Sequence, residues 1–276
     1  MTLSQRDDTP SLVRASELAS TMPGSETFTS FCRFIGDEPF TPSDEFFAMM
    51  QALERDGITW ISTLEKLEKK DSGPWPLDTI IPDTRCLTMG PLEGALEWEL
   101  SLRGAASVVA IEGKRENYLK CQVLKTIFPA LPMTFIEGDV LTTDFPSGMD
   151  VVFCPGVLYH LSEPHRLLRK IYDLKPRLAF IATQLAFEPT HPASAVRDLT
   201  DLTELVVDGR TYRGRLFPEG RSRYLSGLDR DQPSVWLYAE DMMRLITDVG
   251  LHVEDHYVVD LKQDGLCGIY ISSVPA

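Results

Sequence analysis

The chain has 276 residues, 43% of them hydrophobic and 25% charged, the balance of a globular protein long enough to bury a core without disulfide staples. Its formal net charge of −14 works against a polyanionic partner such as nucleic acid. No apolar run reaches the roughly 18 residues of a membrane span, and the N-terminal stretch lacks the basic-then-apolar order of a secretory signal. Five cysteines at 32, 86, 121, 154 and 267 have no CxxC spacing, so the expectation is a reducing, cytoplasmic setting and no cysteine zinc site.

Residues 1–25 read as a polar tail and 26–70 as helical. Thr41-Pro42-Ser43-Asp44 has the order of a helix start, and Phe46, Phe47, Met50 and Leu53 follow at helical spacing. The apolar face continues through Trp60, Leu64 and Leu67; it reads either as ordinary packing or as a cap over a substrate pocket. Gly73, Pro74, Pro76 and Pro82 mark a linker. The expected organisation is a tail and helical cap over 1–75 and a core over 76–276.

Within the core, strands are expected near 85–89, 107–111, 133–136, 150–154, 177–183, 253–260 and 266–273. Helices are expected near 94–103, 115–128, 164–174 and 239–249. This alternation predicts an α/β fold with a doubly wound, mostly parallel seven-stranded sheet. The last two strands are separated only by Lys262-Gln263-Asp264-Gly265 and read as a hairpin, which makes the final strand antiparallel. Residues 184–238 form an insertion after the fifth strand, where it would lie over the ligand crevice of a parallel sheet. The insertion carries Phe187, Tyr212, Phe217, Tyr224 and Trp236, with arginines at 210, 213, 215, 221 and 223. It reads as a substrate-binding element, or else as a decorative or oligomerising one. The arginines read as a solvated loop or as an anion-binding lid.

The most informative stretch is 86–112. An apolar strand, Cys86 to Met89, meets a turn with Gly90 and Gly94; a helix follows, then a strand from Ser107 to Ile111 that ends on Glu112. Glycines let a ligand approach backbone closely, and an acid at the end of the second strand is placed to accept from ribose hydroxyls. The pattern fits an adenosine-type cofactor. The absence of GK[ST] argues against a P-loop phosphate cradle.

Four motifs stand in this order: MGPLEG at 89–94, VVAIEG at 108–113, EGD at 137–139, and DVVFCPGVLYHLSEP at 150–164. In these the chain resembles the class I S-adenosylmethionine-dependent methyltransferase superfamily, over about 83–183 and more loosely over 238–273. The resemblance implies S-adenosylmethionine as cofactor. Gly90, Pro91, Leu92, Glu93 and Gly94 would wrap its methionine portion, and Glu112 would hold the ribose. Gly113 and Lys114 would flank the adenosine. Asp139 would meet the adenine amino group, with Val140 beside it. Cys154, Pro155 and Gly156 would lie near the transferred methyl, and the loop from Val157 to Leu161 would border the substrate. His160 is the candidate base and Tyr159 shapes the pocket; Tyr224, Trp236 and Arg223 are candidate substrate contacts. No metal-binding cluster is identified.

One position departs from the family. Many members carry Asp or Glu two residues before the first glycine, where this chain has Thr88. Glu93 and Glu97 are alternative sources of that charge, with Glu97 expected to face solvent from its helix. The implied activity is methyl transfer to O, N or C of a small molecule, such as a natural-product intermediate. The alternatives are modification of wobble uridine in transfer RNA, or a catalytically inactive protein that binds cofactor or partner. A homo-oligomer is compatible with the sequence.

Overall fold

A computed structural model describes residues 13–14, 17, 24–36, 39–58, 60, 77–191, 199–220, 227–228, 231–261 and 265–273. Strands β1 (Val13–Arg14) and β2 (Pro39–Phe40) pair antiparallel, and α1 (Glu26–Ile35) and α2 (Asp44–Arg55) accompany them. Ser43 starts α2 as the sequence predicts: its hydroxyl accepts the Phe46 N–H at 3.1 Å, satisfying one of the donors a helix start leaves open. Phe31, Phe40 and Phe46 interlock with ring centroids 5.3–6.2 Å apart. Each such burial contributes on the order of 1.5–3 kcal/mol.

The core then alternates. In chain order it holds α3 (Leu77–Ile80), β3 (Arg85–Met89), α4 (Ala95–Leu102), β4 (Ser107–Glu112), α5 (Arg115–Ile127), β5 (Met133–Glu137) and β6 (Val151–Pro155). It continues with α6 (Pro164–Leu174), β7 (Leu178–Gln184), β8 (Leu202–Val207), β9 (Arg210–Phe217), β10 (Ser234–Leu237), α7 (Ala239–Asp248), β11 (His252–Leu261) and β12 (Gly265–Ser273). Seven strands make one sheet in the order β11-β12-β7-β6-β3-β4-β5. β3 to β7 run parallel, and β12 lies antiparallel between β7 and β11. The seven-stranded sheet is the one read from the sequence, and its strands and α4 to α7 lie within about two residues of their expected bounds. The parallel strands are nearly continuous apolar runs (Val151 to Cys154 are all buried) because helices cover both faces of the sheet.

The chain steps from β3 to β4 and β5 on one side, then returns past β3 to β6 on the other. That reversal opens a crevice beyond the C-terminal end of β3, the place where open α/β sheets bind ligands. α1 and α2 pack away from it, in a cluster with Ala110, Cys121 and Leu124.

Inside 184–238 the structure holds a second sheet, in the order β10-β9-β8, which the sequence reading did not resolve into strands. β8 and β9 join through Asp208-Gly209, both with positive φ (50° and 77°), a two-residue turn suited to a hairpin. Three of the insertion's arginines stand on β9 and are engaged structurally. Arg210 pairs with Asp248 and Arg213 with Asp241, while Arg215 is buried and donates to the carbonyls of Leu199 and Thr200. Arg210 and Arg213 are solvated but stand on a strand and pair with acids, while Arg215 is buried. Among the described residues, no helix is long and apolar enough to cross a membrane.

Candidate functional site

The crevice is a cavity of about 240 Å³, near the low end of small-molecule sites. One wall comes from the ends of β3, β4 and β5: Gly90, Leu92, Glu112, Gly113, Lys114, Asn117, Asp139, Val140 and Leu141. The opposite wall comes from the loop after β6 and from the insertion: Pro155, Gly156, Val157, Tyr159, His160, Leu161, Ser162, Gly227, Leu228 and Gln232.

Glu112 is the fixed point of the first wall. It is 4% exposed, and its two oxygens accept the backbone N–H of Leu92 (3.1 Å) and of Lys114 (2.8 Å). Burial pushes its carboxyl above the ordinary range, opposed by those two N–H groups and by Lys120. Each oxygen retains acceptor capacity after one bond. The Leu92 backbone is left-handed (φ 56°), a conformation that costs a non-glycine residue energy and is held here partly by that bond. Gly90 is also left-handed (φ 65°), and a Cβ on it would lie 2.7 Å from Val157 Cγ2. Glycine is therefore required sterically where the two walls meet.

Asp139 opens the turn after β5. Its Oδ1 accepts the Leu141 N–H at 2.8 Å, and its carbonyl accepts from Thr142 and Thr143. Lys170 Nζ fastens the same turn through the carbonyls of Val140 and Thr143.

Four of the residues expected to touch cofactor do not line the cavity. Pro91 is buried; Gly94 begins α4 and packs against Leu124 and Phe135. Cys154 lies wholly within the sheet core, and burial pushes its thiol up to about 12. Glu93 is fully buried in an ion pair with Lys120 (3.2 Å), where burial pushes the lysine down.

Glu97 corrects another expectation. It is 1% exposed, not solvent-facing, and accepts the hydroxyl of Thr88. α4 lies between two clusters, one holding Ala95 and Trp98 and the other Leu100, so little of the helix is left for solvent. Among the described residues Glu97 Oε2 has no hydrogen-bond partner, and burial pushes the carboxyl up to about 7. A carboxyl group thus sits against Thr88 from the helix side, at the position where the sequence lacked an acid.

On the second wall, Tyr159 and His160 both face the cavity, with ring centroids 4.2 Å apart. A Cβ on Gly156 would lie 3.2 Å from the Tyr159 hydroxyl, which places that hydroxyl over the end of β6. His160 Nδ1 lies 3.0–3.1 Å from both carboxylate oxygens of Glu219, a residue the sequence did not single out. Glu219 is 3% exposed and also accepts the Gly227 N–H. Trp236 does not line the cavity; it stacks on Phe217 and donates its indole N–H to the Tyr159 carbonyl at 2.8 Å, supporting the wall from behind. Arg223 and Tyr224 lie outside the described residues. The insertion reaches the first wall as well: a Cβ on Gly113 would meet Leu228 at 2.6 Å.

With this geometry in view, residues 87–177 match the family model described as a methyltransferase domain. The match spans β3 through the end of α6, the part that builds both the glycine turn and the His160 loop. Among solved structures, the N-terminal domain of EvdMO1 with S-adenosylhomocysteine bound is similar with a TM-score of 0.54 and 23% identity, over 70% of this chain and 75% of that one. Magnesium protoporphyrin IX methyltransferase (ChlM) from Synechocystis PCC 6803, with S-adenosylhomocysteine bound, is similar with a TM-score of 0.51 and 14% identity, over 95% and 98%. The cyclase SpnF is similar with a TM-score of 0.51 and 11% identity, over 72% and 77%. At these identities the structures show the shared fold. A comparison with curated proteins finds no match.

The family match places a methyltransferase domain at residues 87–177, and the solved structures share the fold around it. The matched domain is that of a methyltransferase, an enzyme that takes its methyl group from S-adenosylmethionine.

Proposed function

We propose that the chain transfers the methyl group of S-adenosylmethionine to a small-molecule acceptor of natural-product type. One observation carries the reading: a single cavity joins a doubly anchored carboxylate, Glu112, to the pair Tyr159 and His160 on the facing wall. The cofactor supplies an electrophilic methyl on a sulfonium. The residues of the first wall fit it. Glu112 keeps one acceptor site on each oxygen for the two ribose hydroxyls, and charge-assisted bonds of this kind contribute about 1.5–3 kcal/mol each. Asp139 keeps Oδ2 for the adenine amino group. Gly90, Gly113 and Gly156 put no side chain in the cavity. The role of the second wall is to align the acceptor for in-line attack, where most of the rate comes from position.

The net charge of −14 and the engagement of Arg210, Arg213 and Arg215 in the fold favour a small acceptor over transfer RNA. Free Cys32, Cys86, Cys121 and Cys154 fit a cytoplasmic setting. Thermal unfolding with S-adenosylmethionine, S-adenosylhomocysteine or NAD tests the cofactor side. At 100 times its dissociation constant a ligand adds about 2.7 kcal/mol. Stabilisation is expected from both sulfur compounds and not from NAD; stabilisation by NAD alone would refute the reading.

A further inference from the structure

Glu219 is a buried carboxylate behind the second wall of the cavity, and among the described residues its one ion-pair partner is His160. Its partners are His160 Nδ1, the Gly227 N–H and the Ser234 hydroxyl. Burial raises its carboxyl, but the hydrogen bonds from His160, Gly227 and Ser234 work against burial, and the carboxyl lies below the ordinary carboxylate range. An ionised carboxylate only accepts. Nδ1 of His160 must therefore carry the ring hydrogen and donate it to Glu219. When the ring is neutral, the other nitrogen, Nε2, keeps its lone pair, on a residue that lines the cavity.

We infer that Glu219 is a positioning residue that holds His160 as a base with Nε2 toward the acceptor, and that the acceptor is a neutral hydroxyl rather than a group already free of its proton. The inference rests on the proposed methyl transfer. In the step it describes, the acceptor O–H bond breaks and its proton passes to Nε2. The oxygen's electron pair forms the new O–CH₃ bond as the S–CH₃ bond breaks, and that bond's electron pair stays on sulfur. The sulfonium leaves as a neutral thioether. The imidazolium that forms faces Glu219, which stabilises it, and later releases its proton to water. A base so placed is worth about 10²–10⁴-fold in rate.

The device is built across the chain. His160 belongs to the loop after β6, and Glu219 follows β9, 59 residues on. A Cβ on Gly227 would lie 2.8 Å from the His160 carbonyl and 3.3 Å from the Glu219 carboxyl carbon, so the pair is packed against backbone on that side. Glu219→Gln is informative for that reason. The Gly227 N–H claims the amide oxygen, which turns the amide NH₂ toward Nδ1. Nδ1 then has to accept, and the ring hydrogen moves to Nε2, the error known from amide replacements in carboxylate–histidine pairs.

The test is nitrogen NMR of isotope-labelled histidines in the full chain, with the ring neutral, with and without S-adenosylhomocysteine; His160→Asn assigns the signal. The wild type is expected to show a bare Nε2, and Glu219→Gln a protonated one, with equal affinity for S-adenosylhomocysteine in calorimetry. A wild-type ring protonated at Nε2, or a tautomer that Glu219→Gln leaves unchanged, overturns the inference. Should Glu219→Gln fail to fold, the wild-type spectrum alone decides. Failure of S-adenosylhomocysteine to bind the wild type would instead overturn the cofactor reading, since the tautomer is read without ligand too.

Discussion

The two walls of the cavity are built in different ways. The wall of Gly90, Glu112 and Asp139 comes from about fifty consecutive residues, each held by backbone close to it in sequence or one strand away. The facing wall is assembled at long range: His160 meets Glu219, and Tyr159 is supported by Trp236, 77 residues away. The first wall also rests on a buried ionic layer of Glu93, Glu97, Glu112 and Lys120, whereas the second has, among the described residues, the pair His160 and Glu219. On the proposed function, the first wall is the cofactor side and the second an acceptor side that the insertion completes.

The largest effect should come from breaking the ionic layer. Lys120→Met leaves Glu93 buried without its cation and should cost about 3–5 kcal/mol in urea unfolding. Glu93→Leu with Lys120→Met should recover most of that loss. If the single substitution is silent, the cofactor wall does not rest on this pair.

Glu97 gives the next effect, and it depends on pH. Its folded carboxyl is raised from 4.5 to about 7, so the folded state binds the proton more tightly than the unfolded one. That contribution is complete below about pH 4.5 and is lost as pH rises through about 7, on the order of 3 kcal/mol in all. Glu112 is raised in the same direction. Glu97→Gln should therefore flatten the fall in stability between mildly acidic and mildly alkaline pH, and should be more stable than the wild type at the alkaline end. Parallel curves for the two proteins would place the titration elsewhere.

The wall of Gly90, Glu112 and Asp139 was legible in the sequence as one stretch because its signals are local. A strand, a glycine turn and a strand-end acid lie within 86–112, and the strand order follows from alternating apolar runs. Glu97 was misread because the segment Ala95–Leu102 has few polar positions to mark an outer face, and both of its sides are covered. Glu219 left no signal because its meaning lies in His160, and nothing in a one-dimensional pattern joins positions 59 apart. The Asp208-Gly209 turn was a readable hairpin cue, but β8 alternates exposed with partly buried positions and mixes Thr and Glu with its aliphatics, so its strand was not recognised. The arginines of β9 looked like a free basic cluster until the fold brought Asp241 and Asp248 beside them.

The comparison of the two walls is tested most directly by calorimetric titration of S-adenosylhomocysteine into the wild type, Glu112→Ala and Glu219→Gln, each first shown to be folded by thermal unfolding. Loss of the carboxylate's bonds to the ribose, about 1.5–3 kcal/mol, should weaken binding to Glu112→Ala by about tenfold or more. Binding to Glu219→Gln should match the wild type, because that residue serves the other wall. Unchanged affinity in Glu112→Ala would contradict the account by removing Glu112 from the cofactor site.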